Sequence, residues 1–238
     1  MCGRYTQTAA LDVLAERFGV TLIEDDNEAL VARYNVAPSQ LVPIVVETRQ
    51  GRRIVLARWG FRPGWATGSG LAPINARAES LASSPMFRDA VSRSRCLVPA
   101  DGFYEWQARP GQKRRQPWHL RLRDGGLFGF AGLWTPGDAD KGEPPTCTII
   151  TTVPNEVARP IHDRMPVILL PEHEGPWLDR ATRDAARVVP FLQPLPAERM
   201  EAYPVSPAVS SPQNDGPSLV ERVDPGGAAP PDRQGSLL

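Results

Sequence analysis

The sequence predicts an α+β fold, a single domain built on antiparallel, partly barrel-like β-sheet with short helices around it. Several β-rich runs are joined by tight, glycine-containing turns of the hairpin kind. Regular helices do not separate these runs, which argues against a parallel doubly wound sheet. Twenty-six prolines scattered through 238 residues indicate many irregular connections.

The first elements in chain order are a short helix and two hairpins. Apolar residues recur at helical spacing from Thr8 to Gly19, with Thr8 as the predicted N-cap and Gly19 as the predicted stop. One antiparallel hairpin is predicted where "RQG" joins "QLVPIVVET" to "RRIVLARWGF". A second is predicted where "DGG" joins "WHLRLR" to "LFGFAGLW".

Three further runs predict strands: "RCLVPADGFYEW", "TCTIITTV" and "MPVILL". Two of them are apolar enough to be buried on both faces. Helices are predicted over 78–94, with a break near Pro85, and over 172–186. The aromatic side chains expected in the core are Trp59, Phe61, Trp134 and Trp177.

The composition favours one globular domain. Hydrophobic residues make up 41% of the chain and charged residues 23%, which is ample for a packed core. We place this domain at 2–223. The remainder, 224–238, is rich in Pro, Gly and Ser and predicts a disordered C-terminal tail.

The sequence also bounds location and thiol chemistry. No apolar run approaches the roughly 20 residues of a membrane-spanning helix, and no signal peptide is visible, so we expect a cytoplasmic protein that does not bind membranes. Cys2, Cys96 and Cys147 are odd in number and far apart, which fits neither a disulfide framework nor zinc ligation. We expect free thiols, with Cys96 and Cys147 buried as small hydrophobic residues.

Positive charge is concentrated in one part of a neutral chain. Residues 40–125 hold 15 Arg or Lys against 6 Asp or Glu. Such a segment suggests a basic surface with an anionic partner, although a solvated surface is the alternative. The "KRR" run at 113–115 is predicted to be a solvated hairpin or loop.

Cys2 follows the initiator methionine, and removal of Met1 would leave an α-amine and a thiol on adjacent carbons. The amine has a pKa of about 7.7 to 8.0, so part of it is nucleophilic near pH 7. The thiol can attack a carbonyl with the amine as base, or the amine and thiol can together close a thiazolidine on an aldehyde. The alternative is an incidental cysteine in a frayed terminus.

Six stretches occur in one order along the chain: "MCGRY", "YNVAPSQ", "PINARAES", "RCLVPADGFYEW", "IHDRMPVIL" and "QNDGPSLVE". Together they closely resemble the SOS response-associated peptidase (SRAP) family, whose members act on abasic sites in DNA. The resemblance covers roughly residues 2 to 221. It implies a DNA-damage protein, and the ordered set is highly specific.

The resemblance implies four active-site residues. Cys2 would become joined to DNA, and Asn75, Glu105 and His162 would assist it. The residue types suit that chemistry: a histidine for opening the sugar ring, a carboxylate for moving the amine proton, and an uncharged amide for holding the amine or sugar oxygen. Read without the resemblance, Glu105 could point to solvent, Asn75 could be a turn residue, and His162 could belong to a surface ion-pair cluster.

DNA contacts are predicted from residues near these four. Arg4, Arg77 and Arg164 are candidates for phosphate contacts, Arg77 above all because the resemblance places a phosphate contact in "NAR". Thr151 is expected to donate a further hydrogen bond to phosphate.

Two residues are candidates for stacking on bases. Trp65 lies in a loop rich in Gly and Pro, where it would stack or wedge, unless it packs beneath the loop. Pro38 in "APSQ" resembles a second stacking surface. No zinc, phosphate-loop or dinucleotide motif appears, so no cofactor is implied.

The primary interpretation is an abasic-site processing enzyme, a monomer that becomes nucleoid-associated when bound to DNA. It would bind single-stranded DNA, including at junctions with duplex, and form a thiazolidine crosslink through Cys2, with lyase and crosslink-reversal activity expected from the imine. Two alternatives stay open: a cysteine peptidase that at least removes its own Met1, and a non-covalent single-strand binding module.

Overall fold

The α+β class and the single-domain architecture are confirmed. The computed structural model describes residues 2–22, 31–65, 70, 72–138, 140 and 142–224. The α-helices in this part of the chain are α1 (Leu11–Phe18), α2 (Arg88–Arg93) and α3 (Pro171–Leu178). The strands are β1 (Tyr5–Gln7), β2 (Val20–Leu22), β3 (Arg33–Val36), β4 (Leu41–Thr48), β5 (Gly51–Trp59), β6 (Asn75–Arg77), β7 (Arg95–Ala100), β8 (Gly102–Gln107), β9 (Gln116–Leu122), β10 (Phe128–Thr135), β11 (Thr146–Thr152), β12 (Met165–Pro166) and β13 (Met200–Pro204).

The strands form two sheets that are mostly antiparallel. The five-stranded sheet has the order β13-β9-β8-β1-β3. The eight-stranded sheet has the order β12-β11-β10-β7-β4-β5-β2, with β6 beside β11. A short parallel pairing of β5 with β11 joins five strands into a ring. The ring is not a clean barrel, because this contact and that of β4 with β7 each involve only one or two registered pairs.

The first predicted hairpin is confirmed. β4 and β5 pair in unbroken register from Leu41 opposite Arg58 to Thr48 opposite Gly51. Gly51 has a φ of 118°, a backbone conformation that L side chains rarely adopt, so the "RQG" turn requires a glycine there.

The second predicted hairpin is wrong. β9 pairs with β8 and β13, whereas β10 pairs with β7 and β11 in the other sheet. β10 is buried along most of its length and needs a fully buried strand on each side, which β7 and β11 provide. β9 alternates between buried and partly exposed residues and suits a sheet that is covered on one face.

The predicted helices are shorter in the structure. α1 begins at Leu11, with Ala10 at the N-cap, because the Thr8 hydroxyl donates to Asp101 Oδ2 (2.5 Å) instead of capping. Gly19 ends α1 as predicted, with a φ of 62°.

The other two predicted helices each keep only part of their range. The segment 78–94 contains a 3-10 turn (Ala78–Ser80) and α2, and 172–186 contains most of α3 and part of a second 3-10 turn (Ala185–Arg187). α3 ends at Leu178 because Asp179 accepts hydrogen bonds from Ala181 N–H and the Thr182 hydroxyl, which favours a turn.

The eight-stranded sheet separates two parts of the core. One face packs against the five-stranded sheet and includes Cys2 and Trp59. The opposite face packs against the helices and includes Phe61 and Trp177. Neighbouring residues on a strand point to opposite faces, so Cys96 lies in the first part and Leu97 in the second.

The predicted burial agrees with this arrangement except at one residue. Cys96 and Cys147 are buried free thiols, and Trp59, Phe61 and Trp177 are buried. Trp134 is only half-buried. No helix in the described ranges is long and apolar enough to cross a membrane. The boundary at 2–223 stays a prediction, and the tail predicted at 224–238 lies outside the described residues after Asp224.

Candidate active site

Cys2 is completely buried in the core between the two sheets. Its thiol is 4.0 Å from the Arg4 carbonyl oxygen, and its own carbonyl accepts a hydrogen bond of 2.9 Å from Asn75 Nδ2. Burial, followed by the charge of Glu105, raises the pKa of the thiol above its ordinary value. Cys2 is therefore a fixed, uncharged thiol, and a frayed terminus is ruled out as its environment.

Asn75 is the first residue of β6 and is paired in parallel register with Ile149 of β11. This pairing fixes the direction of the side chain, whose Nδ2 reaches the Cys2 carbonyl. The Asn75 Oδ1 is buried and has no hydrogen-bond partner among the described residues. A buried acceptor without a donor is costly, so this oxygen is suited to an N–H or O–H group brought by a reactant.

Glu105 lies in β8 opposite Trp118 of β9 and is only 3% exposed. The interpretation that it points to solvent is therefore wrong. Burial raises the pKa of this carboxyl to about 7. Both protonation states are then populated near neutral pH, which is the property required of a general acid–base residue.

His162 stands at the end of a helical turn. Its backbone N–H donates to the Ala158 carbonyl (2.9 Å), and the turn starts at Asn155. The Nε2 atom lies 3.8 Å from Glu105 Oε2. The Arg164 N–H donates to Nδ1 (3.0 Å), and Asp163 Oδ1 lies 2.9 Å from the same nitrogen, so Nε2 is the ring nitrogen that faces Glu105.

The electrostatic environment favours the neutral form of His162. Burial lowers the pKa of the imidazole, while the Asp163 carboxylate, whose Oδ1 is 2.9 Å from Nδ1, opposes this effect. His162 is therefore suited to donate a proton from Nε2 and to take one back.

The three arginines predicted to contact phosphate differ in their surroundings. Arg77 is exposed at the end of β6, two residues after Asn75. Arg164 is paired by two hydrogen bonds with Glu79, at 2.6 and 2.9 Å, and also donates to the Thr151 carbonyl. Arg4 donates hydrogen bonds to Asn35 Oδ1 and to the backbone carbonyl oxygens of Val209 and Ser210. Arg77 is thus the arginine most available to DNA.

The other predicted DNA contacts also differ in exposure. Trp65 is 61% exposed, so the alternative that it packs beneath its loop is wrong. Pro38 is half-buried and precedes Ser39, which has a left-handed backbone with a φ of 70°. Thr151 is buried, and its hydroxyl lies 3.4 Å from the Arg164 guanidinium, so a phosphate could reach it only if Arg164 moved. Contacts of all these residues with DNA stay predictions.

Two residues near the site were missed from the sequence. Asn155 caps the turn that carries His162, because its Oδ1 accepts from the N–H groups of Val157 and Ala158 at 3.1 and 3.0 Å. An Asn after a proline at the start of a helical turn is a recognisable cap signal. Glu79 was also missed, because no sequence pattern pairs it with a residue 85 positions away.

The convergence of a thiol, an amide, a carboxyl group and an imidazole defines a class of protein: an α+β protein with a cysteine-centred reactive site. Among the described residues, no three His, Cys, Asp or Glu side chains are arranged to hold a metal ion. In this candidate site the Glu105 carboxyl group and the His162 imidazole lie 3.8 Å apart, and the charge of Glu105 acts on the Cys2 thiol.

Comparison with known proteins identifies the family. The model of the SOS response associated peptidase (SRAP) family matches residues 1–212, and the chain belongs to this family. It is 43% identical to the abasic site processing protein YoqW of Bacillus subtilis, over 93% of this chain and 99% of the relative. It is 31% identical to the abasic site processing protein YedK of Escherichia coli, over 94% and 100%. A crystal structure of a Bacteroides thetaiotaomicron protein superposes with a TM-score of 0.81 at 27% identity, covering 93% of this chain and all of that one.

Proposed function

We propose that the protein binds single-stranded DNA containing an abasic site and joins itself covalently to the lesion through Cys2, once Met1 has been removed. The observation that carries the proposal is the convergence of Asn75, Glu105 and His162 at the buried Cys2. Relatives named as abasic site processing proteins match over almost their whole length, which supports the same substrate here.

The first step is opening of the abasic sugar. The closed hemiacetal opens to the aldehyde when its C1′ hydroxyl loses a proton and its ring oxygen gains one. His162 is suited to this step because an imidazole can both give and take a proton near neutral pH, and its Nε2 lies 3.8 Å from Glu105 Oε2. Glu105, whose pKa is about 7, can accept a proton in the same region.

The second step forms two bonds to the aldehyde carbon. The Cys2 amine attacks the carbonyl, and one N–H proton passes by way of Glu105 to the new alkoxide, which becomes a hydroxyl. The second N–H proton then passes by way of Glu105 to this hydroxyl, which leaves as water and gives a neutral imine. The Cys2 sulfur then adds to the imine carbon while the thiol proton goes to the nitrogen, and a five-membered thiazolidine is closed. Atoms and charge balance without an added cofactor.

The amide of Asn75 is suited to holding the amine. In the structure Nδ2 donates to the Cys2 carbonyl, and the buried Oδ1 accepts from no donor in the part of the chain that the structure describes. An amine N–H that donates to this oxygen would be oriented toward the aldehyde, and no charge would be added to the site.

The same intermediates account for the minor activities in the proposal. The imine can undergo β-elimination, which cleaves the strand, so a lyase side reaction is expected until the thiazolidine closes. Protonation of the ring by Glu105 would reopen the imine and reverse the crosslink. The closed adduct shields the lesion from both outcomes.

The DNA strand would approach over exposed residues near the site. Arg77 lies two residues from Asn75 and has a free face for phosphate, and Trp65 offers an indole for stacking. A phosphate contact by Arg164 would require exchange of its Glu79 partner.

The test uses single-stranded DNA with one abasic site, followed by denaturing electrophoresis. The wild-type protein should give a stable shifted band. Cys2→Ala retains the α-amine but lacks the thiol, so it should give a band only when borohydride reduces the imine. Blocking the α-amine by acetylation should remove both bands.

Two outcomes favour the rival functions. Cleavage of peptides that depends on Cys2, without any DNA adduct, would establish the cysteine peptidase. Equal binding of DNA by the wild type and Cys2→Ala, with no adduct under either condition, would leave only the non-covalent binding module.

A further inference from the structure

A basic cavity lies at the end of the eight-stranded sheet where β7 begins. Its volume is about 240 Å³, far above the roughly 10–15 Å³ that one water needs. Residues of four strands line it, together with the chain that leaves α2 and α3. Its charged lining residues are Glu47, Arg53, Arg93, Arg95 and Arg180.

This cavity is separate from the Cys2 site. Arg95 is the first residue of β7, and the strand runs away from the cavity to Ala100 before the chain enters the other sheet. Six strand residues span roughly 17 Å. Glu105 lies beyond that point in β8, and none of the four predicted active-site residues lines the cavity.

Arg95 places a buried positive charge in the cavity wall. It is 6% exposed, and its guanidinium donates four hydrogen bonds of 2.5 to 2.8 Å, all to backbone carbonyl oxygens. A guanidinium has five N–H groups, so one on Nη1 remains. Neutral carbonyls hold the side chain in place, and the nearby Asp179 carboxylate favours the charged form of this guanidinium.

Arg93 and Arg180 add two exposed charges to the same cavity. Neither forms an ion pair with any residue that the structure describes. Glu47 is the acidic side chain in the lining, and it is within 3.4 Å of the Arg52 guanidinium, which shares its charge. The cavity therefore carries a net positive charge.

We propose that this cavity is a phosphate-binding site. Arginine guanidinium groups match phosphate oxygens in geometry and charge, and here two exposed arginines line the same cavity as a third that is fixed by the fold. The phosphate could belong to the backbone of a bound DNA strand or to a small phosphorylated molecule. The site would also account for part of the excess positive charge in residues 40–125.

The test is titration with inorganic phosphate, followed by calorimetry. The double variant Arg93→Ala/Arg180→Ala should bind phosphate at least tenfold more weakly than the wild type. These side chains make no hydrogen bond in the described structure, so folding should be unaffected. The control is Arg88→Ala/Arg187→Ala, which makes the same charge change at exposed positions outside the cavity and should bind phosphate like the wild type.

A second arm identifies the source of the phosphate. The affinity of unmodified single-stranded DNA is measured against salt concentration for the same proteins. A smaller salt slope in the cavity variant, by about 0.7 for each lost contact, would assign the site to the DNA backbone. An unchanged slope with weakened phosphate binding would assign it to a small phosphorylated molecule.

Equal phosphate binding by the wild type and the cavity variant, or none by the wild type, would overturn the proposal. Crosslinking through Cys2 is measured separately on both proteins at saturating DNA, where weaker DNA binding does not limit the adduct, and its yield should be unchanged. The two proposals can therefore fail independently.

Discussion

Burial determines the chemistry expected of Glu105. The same carboxyl group on the surface would be ionised throughout the neutral range, whereas burial in β8 raises its pKa to about 7. The pKa of His162, whose Nε2 lies 3.8 Å from Glu105, shifts the opposite way, since burial lowers it. One pair of side chains thus offers an acid and a base at the same pH.

The first prediction concerns the pH dependence of crosslinking. With Glu105 as the base for the amine proton, the rate should rise as the pH increases through about 7, because Glu105 loses its proton there. Glu105→Gln should lower the rate by about 10²- to 10⁴-fold and leave only the rise at about pH 7.7 to 8.0 at which the α-amine loses its proton. Initial rates on abasic-site DNA across the neutral range provide the measurement.

The control for this prediction is Glu172→Gln, which changes an exposed carboxyl group in α3. It should keep the wild-type rate and pH profile. A rise near pH 7 that persists in Glu105→Gln would assign that step to another group.

The second prediction concerns His119, which is buried between the Tyr203 hydroxyl (3.0 Å from Nδ1) and the Thr6 hydroxyl. Burial lowers its pKa to about 3, below the ordinary value of 6.5. The unfolded chain therefore takes up a proton below about pH 6.5 while the folded protein does not. This contribution to the free energy of unfolding is present above pH 6.5 and is lost as the pH falls toward 3, by roughly 2 kcal/mol at pH 5.

Urea unfolding of the wild type and His119→Gln at pH 7 and pH 5 tests this assignment. The variant should lose less stability than the wild type between the two pH values. His173→Gln, which alters a histidine outside the buried cluster, is the control and should behave like the wild type. Parallel losses in the wild type and His119→Gln would show that His119 does not titrate as described.

At the scale of elements, Asn155 connects the turn of His162 to the rest of the fold. Besides its two capping bonds, its Nδ2 donates to the Leu195 carbonyl at 2.8 Å. It is 4% exposed, so water cannot replace these bonds. The position of the imidazole therefore depends on a residue seven positions earlier.

We expect Asn155→Ala to lower the free energy of unfolding by about 2–4 kcal/mol and to slow crosslinking, because buried N–H groups lose their acceptor and the turn loosens. Urea unfolding and adduct formation provide the two readouts. Asp184→Ala removes an exposed cap from a 3-10 turn and should cost about 0.5–1 kcal/mol without affecting crosslinking. A variant Asn155→Ala with wild-type rate would show that the turn keeps its shape without the cap.

Local signals in the sequence were enough for some elements and insufficient for others. The β4–β5 hairpin was predictable, because both strands and the turn lie within 19 residues and the turn glycine has a positive φ. The β9–β10 hairpin was predicted wrongly, because the partners of β10 are chosen by burial on both faces, which depends on distant strands. The start of α1 was predicted wrongly, because the Thr8 hydroxyl donates to Asp101 instead of capping the helix.

The residues of the candidate site were predicted from the order of sequence motifs along the chain, not from a helical or strand periodicity. Each of Cys2, Asn75, Glu105 and His162 is 30 to 73 residues from the next along the chain, and no helical or strand spacing relates them. The resemblance named them together, and the structure adds what it could not contain: the burial of Glu105, the approach of His162 Nε2 to Glu105, and an amide oxygen of Asn75 that accepts from no donor among the described residues.

At the scale of the whole molecule, stability depends on close contact of the central strands of the eight-stranded sheet. Gly132 of β10 is packed so tightly that a Cβ atom there would lie 2.9 Å from Cys96 Sγ and 3.0 Å from the Thr148 carbonyl oxygen. Since β10 contributes to both parts of the core, a shift there would disturb packing on both faces.

We therefore expect Gly132→Ala to lower the free energy of unfolding by about 1–3 kcal/mol. Gly64→Ala is the matched control, because a Cβ at Gly64 would have no atom within 4 Å and its cost should stay within about 0.5 kcal/mol. Thermal and urea unfolding of both variants provide the measurement. A neutral Gly132→Ala would mean that the central strands can separate slightly without loss of packing.

The burial of Cys2 has a mechanical consequence. Only two residues separate it from β1, which lies between β8 and β3 in the five-stranded sheet. Tension on a strand attached at Cys2 would act along β1 and shear two hydrogen-bonded ladders at once, whereas tension on a loose terminus would only straighten it. A translocating motor that met such a linkage would have to unfold the sheet from its interior, so the protein would act as an anchor as well as a cap.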